Sequence, residues 1–104
     1  MQILEMPAFT IKNGVSEKDF LAAHEKFNRE FMKKQDGYVS HKLIRNGDSW
    51  FDIAVWSSEE TKNKAFKDIY KSSAAVEYIK LINDTADESI PLFSVVKDYD
   101  NALG

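Results

Sequence analysis

The chain has 104 residues, 43% of them hydrophobic and 30% charged, which suits one globular domain and is too short for two. A net charge of -3 without a basic stripe argues against nucleic acid or an anionic membrane as partner, and the absence of cysteine excludes disulfides, thiolate nucleophiles and cysteine-based metal sites. No apolar run approaches the roughly 18 residues of a membrane span. Met1-Gln2-Ile3-Leu4-Glu5 lacks the basic start and apolar core of a signal peptide, so a cytoplasmic location is expected.

Residues 2–12 alternate loosely, with Phe9 and Ile11 as strand formers, and Asn13-Gly14 reads as a turn. Ser16-Glu17-Lys18-Asp19 has capping-box spacing and opens a helix. Phe20, Ala23, His24, Phe27 and Phe31 recur at three- and four-residue intervals, which makes them one helical face. Gln35-Asp36-Gly37 ends that helix, with Gly37 suited to a left-handed cap. Residues 38–45 form a second strand, Asn46-Gly47-Asp48 a hairpin turn, and Ser49–Trp56 a third strand.

Ser57 and Glu60 form a second capping box. The helix behind it carries Ala65, Phe66, Ile69 and Tyr70, is loosened at Lys71-Ser72-Ser73, and continues through Ala75, Val76, Ile79 and Ile82. Residues 83–89 read as polar loop and 90–99 as a last strand, at a sheet edge because of Pro91. The order strand, helix, strand, strand, helix, strand predicts a ferredoxin-like α+β sandwich: a four-stranded antiparallel sheet with two helices on one face. Residues 1–99 are expected to form the domain and 100–104 a C-terminal tail. Pro7 conflicts with a central first strand, so a bulge or a late strand start is expected there.

The third strand is apolar on both faces except for one charge. Phe51, Ile53 and Val55 alternate with Trp50, Asp52, Ala54 and Trp56. Helices cover one sheet face only. The other would expose an apolar patch in a monomer, which predicts a two-fold homodimer through the sheet faces. A carboxylate between two tryptophans needs a donor, a positive charge, a raised pKa or a wet pocket. A two-residue Asn46-Gly47 loop sets His41 opposite Asp52; a three-residue loop sets Lys42 there. A His41–Asp52 pair has the chemistry of a base for a phenolic proton. His24 and Phe27, on the apolar helix face, are candidates to line the same cavity, and Trp56 its rim. Tyr70 and Tyr78 are weaker candidates for the pocket, because either could be a surface or interface residue. No metal site is expected, since only Asp52 offers a third ligand to the two histidines.

Gln35-Asp36-Gly37-Tyr38, the basic strand, the turn, the run from Asp52 to Glu60 and the helix ending at Ser72-Ser73-Ala74 together resemble the antibiotic-biosynthesis-monooxygenase-like family of dimeric α+β barrels. The resemblance spans residues 9–99 and implies the fold more strongly than a reaction. In quinone-forming members the tryptophan at the Trp56 position lines a pocket between sheet and helices. An asparagine four residues earlier is part of that pocket, and Asp52 stands in its place here. Haem-degrading members pair that tryptophan with a second-helix histidine. Residues 75–80 contain none, and Met6-Pro7-Ala8-Phe9 offers no counterpart of their strand-one asparagine. The resemblance thus implies a cofactor-independent monooxygenase acting on a small aromatic or quinol-like substrate. The departures support an alternative, a non-catalytic ligand-binding or structural homodimer.

Overall fold

A computed structural model describes residues 1–84 and 90–99. The elements in chain order are β1 (Ile3–Glu5), β2 (Ala8–Ile11), α1 (Glu17–Glu30), β3 (Tyr38–Asn46), β4 (Ser49–Trp56), α2 (Glu59–Asp68), α3 (Ser73–Ile79), β5 (Ile82–Asp84) and β6 (Leu92–Ser94). Strand β4 pairs with β3 on one side and with both β1 and β2 on the other; β6 pairs with β1, and β5 with β2, all antiparallel. These six segments make four rows, β3, β4, β1/β2 and β6/β5, which is the sheet order of a ferredoxin-like α+β sandwich.

The first row is interrupted at Met6-Pro7 but not bulged, and it starts early rather than late. Glu5 pairs with Ala54 and Ala8 with Phe51, so one register runs through both halves. Proline has no N–H to give the ladder. Its carbonyl still accepts from Asp52 N–H at 3.2 Å, while Met6 N–H turns to Pro91 O at 3.2 Å. The interruption hands the outer edge from β6 to β5. Ile82 and Asn83 therefore belong to a strand rather than to a helical face and a loop, and the last strand is only Leu92–Ser94, at the sheet edge. Most of the expected polar loop and the expected tail lie outside the described residues.

The hairpin register differs from both alternatives read from the sequence. Asn46 pairs with Ser49 around a two-residue Gly47-Asp48 turn, with Gly47 at φ +62° and no non-glycine residue at positive φ, the combination of a type II′ turn. Leu43, not His41 or Lys42, stands opposite Asp52, and His41 stands opposite Ala54. Paired residues share a face, so His41 is the diagonal neighbour of Asp52, and Lys42, opposite Ile53, points to the other side.

Ser16 caps α1 by accepting Asp19 N–H at 3.1 Å, and the helix buries Phe20, His24 and Phe27. It ends at Phe31 and a short 3₁₀ turn over Met32–Lys34 follows, so Gly37 caps no helix. Gly37 instead takes φ +79° at the entry to β3, where a Cβ would strike the Thr61 side chain and lie 2.7 Å from Ser57 Oγ. The second capping box is shifted by one residue: Ser58 and Thr61 exchange side-chain and backbone bonds. The expected loosening is real, since a 3₁₀ turn over Ile69–Lys71 separates α2 from α3, and Ser72 starts α3 afresh by accepting Ala75 N–H at 3.2 Å.

Strand β4 alternates between buried and half-buried residues. Trp50, Asp52, Ala54 and Trp56 are buried beneath the helices, and Phe51, Ile53 and Val55 are half-buried on the opposite face. The core is mostly aromatic, with Phe9, Phe20, Phe27, Phe31, Trp50, Trp56 and Tyr78 in one cluster.

Candidate functional site

The site is centred on the Asp52 carboxylate. One turn of α1 supplies His24 and, four residues on, Asn28; β3 supplies His41 and α3 supplies Tyr78. His24 Nε2 lies 2.6 Å and His41 Nε2 2.9 Å from Asp52 Oδ1, while Tyr78 O–H donates to Asp52 Oδ2 at 2.6 Å. Asp52 is 9% exposed and the His41 side chain 2%. Tyr78 is held by stacking on Phe27, with ring centroids 4.7 Å apart and planes 9° from parallel. Tyr78, a weaker candidate in the sequence, is a core residue bonded to the site.

Burial by itself pushes the Asp52 carboxyl up. The hydrogen bonds from His24 and His41, and the positive charge those rings carry when protonated, outweigh it and hold Asp52 well below the usual carboxylate range. An ionised carboxylate only accepts, so both imidazoles present Nε2–H to it. His41 Nδ1 lies 3.0 Å from Asn28 Oδ1. A second proton on this ring thus meets an oxygen at each nitrogen. Burial, then the charge and hydrogen bond of Asp52, push the Tyr78 phenol far up, so Tyr78 is a donor rather than a base.

His24, His41 and Asp52 also form a trio able to hold a metal ion, with ligand atoms within 4.8 Å of one another. The two Nε2–Oδ1 separations are hydrogen-bond lengths to a single shared oxygen, which suits a proton network better than a coordination sphere.

A cavity of about 260 Å³ lies between the inward sheet face and the helices. It is slightly smaller than the roughly 300 Å³ at which ordinary ligand sites begin, a size for one or two rings. His41, Asp52, Tyr78, Phe27 and Trp56 line it, as do aliphatic residues such as Ile69 and Ile79. Of the residues singled out in the sequence, His41, Asp52, Trp56 and Phe27 thus line one cavity. His24 reaches the same carboxylate from α1 but does not line the cavity. Trp56 and Phe27 leave the space open rather than filling it.

Sequence reasoning missed Asn28 and Glu5, and ranked Tyr78 too low. Glu5 is 4% exposed, lines the cavity and accepts from Trp56 Nε1–H at 2.9 Å through Oε1. Burial pushes its carboxyl up; the Trp56 bond and the charge of Lys62 offset this only partly, and the charge of Asp52 adds to it. A raised folded pKa means that the unfolded chain ionises first. The Glu5 contribution to stability is therefore complete below its ordinary value near 4.5 and is lost as pH rises through the folded value. Urea unfolding of Glu5→Gln is expected to lose this component of the pH slope and to exceed wild type by roughly 1 kcal/mol at pH 8. An unchanged slope would show that Glu5 is not its source.

No family model and no curated protein sequence matches the chain. Among solved structures, it is similar to SnoaB, a cofactor-independent oxygenase from Streptomyces nogalater, at 20% identity and a TM-score of 0.72 over 94% of this chain and 96% of that one. It is also similar to candidate antibiotic biosynthesis monooxygenases from Chloroflexus aurantiacus (14% identity, TM-score 0.69, 95% and 97% covered) and Bordetella bronchiseptica (19%, 0.66, 92% and 98%). The chain has the antibiotic-biosynthesis-monooxygenase-like fold. At these identities the likeness is one of architecture.

Proposed function

We propose that this protein is a cofactor-independent monooxygenase that takes a small aromatic hydroxyl compound, quinol-like in chemistry, into the cavity between sheet and helices. The observation carrying this reading is a polar wall in a largely apolar cavity, where His41 and Asp52 stand with Tyr78. Asp52, held ionised, is a weak base; its role is to orient His41 and to balance the imidazolium that forms. Asp52 holds the Nε2–H of His41, so the basic nitrogen is Nδ1; the substrate hydroxyl displaces Asn28 Oδ1 from it and gives its proton there. The apolar lining keeps the resulting phenolate poorly solvated and electron-rich. It reduces dioxygen at a ring carbon bearing hydrogen. One oxygen atom becomes the new ring carbonyl, the other leaves as water, and the ring is oxidised to a quinone. Oxygen uptake above background with a panel of quinols and naphthols tests this reading, and no uptake with any of them would count against it.

The same reading includes a homodimer through the outer sheet face. Phe51, Ile53 and Val55 share that face with Leu4 and Ile44, and Phe93 pairs beside Leu4 at 49% exposure. No helix among the described residues covers these side chains, and a largely apolar face of this kind, with Lys42 opposite Ile53 as its charged member, is the usual mark of an interface. Sedimentation at micromolar concentration is expected to give twice the chain mass, and Ile53→Glu to give single chains. A monomeric wild type would refute the dimer.

A further inference from the structure

Glu5 is the one buried side chain among the described residues with a polar atom that has no hydrogen-bond partner, its Oε2. Leaving a carboxylate oxygen unmatched in the interior is costly, and the surroundings do not remove the cost. The Trp56 indole ties Oε1 only. Lys62, on α2, acts through charge without forming an ion pair, and Asp52 opposes ionisation of Glu5. Glu5 pairs with Ala54 across the sheet, so it stands diagonally between Asp52 and Trp56 on the inward face and lines the same cavity as His41.

We propose that Glu5 is a specificity-determining residue whose Oε2 accepts a hydrogen bond from a second donor, a hydroxyl or amine, on the ligand that the His41–Asp52 wall holds by its first. Trp56 is then a positioning residue that fixes Oε1 and leaves Oε2 for the ligand. The inference rests on the cavity being a ligand site, as proposed above. It assigns to Glu5 a task distinct from proton abstraction. The terminal torsion of a glutamate is broad, so the whole carboxylate can rock by a small angle towards a donor without leaving its rotamer well. A molecule with one donor leaves the carboxylate unmatched, and one with donors at both ends of the ring satisfies both polar stations.

The test is calorimetric binding of phenol and hydroquinone under argon to wild type and to Glu5→Gln. At a pH above the raised value of Glu5, where it is a carboxylate, wild type is expected to prefer hydroquinone by about tenfold or more, the effect of a hydrogen bond to a charged group. In Glu5→Gln the preference should fall below about threefold, as the bond becomes neutral. The carboxyl ¹³C resonance of Glu5 in unsubstituted protein provides a second reading: it should move with hydroquinone and stay with phenol. Equal preference in both proteins, or a Glu5 resonance indifferent to hydroquinone, overturns the assignment. If neither compound binds wild type, the ligand-site reading falls as well. Binding with the expected preference but no oxygen uptake upholds Glu5 and defeats only the oxygenase reading.

Discussion

Replacing Asp52 by alanine is expected to destabilise the fold by about 3–5 kcal/mol, because it strands buried partners instead of removing one solvated charge. His24 and His41 each lose the acceptor of Nε2–H, and Tyr78 loses the acceptor of its hydroxyl, all three within the core. Asp52→Asn should be milder, since the amide keeps one accepting oxygen. The loss should also depend on pH. The folded pKa of Asp52 lies below its unfolded value, so its contribution is complete above the ordinary carboxylate range and is lost progressively as pH falls from there towards the lower folded value. Urea midpoints for wild type and Asp52→Ala at pH 7 and pH 3 check both points. A deficit of equal size at the two pH values would mean that packing, not the ionised cluster, is what Asp52 contributes.

The second large effect is on chemistry. His41→Gln retains a polar group of similar reach but cannot take a proton, so the turnover of a hydroxyaromatic substrate is expected to fall roughly 10²–10⁴-fold. Binding should change far less, because the apolar wall of Phe27, Trp56 and Ile69 is untouched. The rate and the KM measured together separate the two: a raised KM with an unchanged rate would make His41 a binding residue rather than the base.

The sandwich was legible in the sequence because period-two and period-3.6 patterns alternate cleanly, and because Ser16 and the serines near residue 58 punctuate the helices. Asp52 was legible for a different reason: a charge on an otherwise apolar strand demands a partner. The same signal was present at Glu5, set between Leu4 and Met6, and it went unread because the first strand looked irregular around Pro7. The partners of Asp52 were harder to read. His41 reaches it diagonally, and that depended on a turn at Gly47-Asp48 rather than Asn46-Gly47. Tyr78 reaches it only because the chain restarts its helix at Ser72, which turns Ala74, Ala75 and Tyr78 inward. Such contacts between distant elements are set by register and helix phase, and a shift of one residue reverses either.

The account stands on the cavity wall taking a proton from a bound aromatic hydroxyl. The most direct measurement is the absorption spectrum of para-nitrophenol bound to wild type and to His41→Gln, at a pH where the free compound is a neutral phenol. The prediction is that the phenolate band rises on binding to wild type and is absent with His41→Gln. Para-nitrophenol bound as the neutral phenol by both proteins would contradict the account.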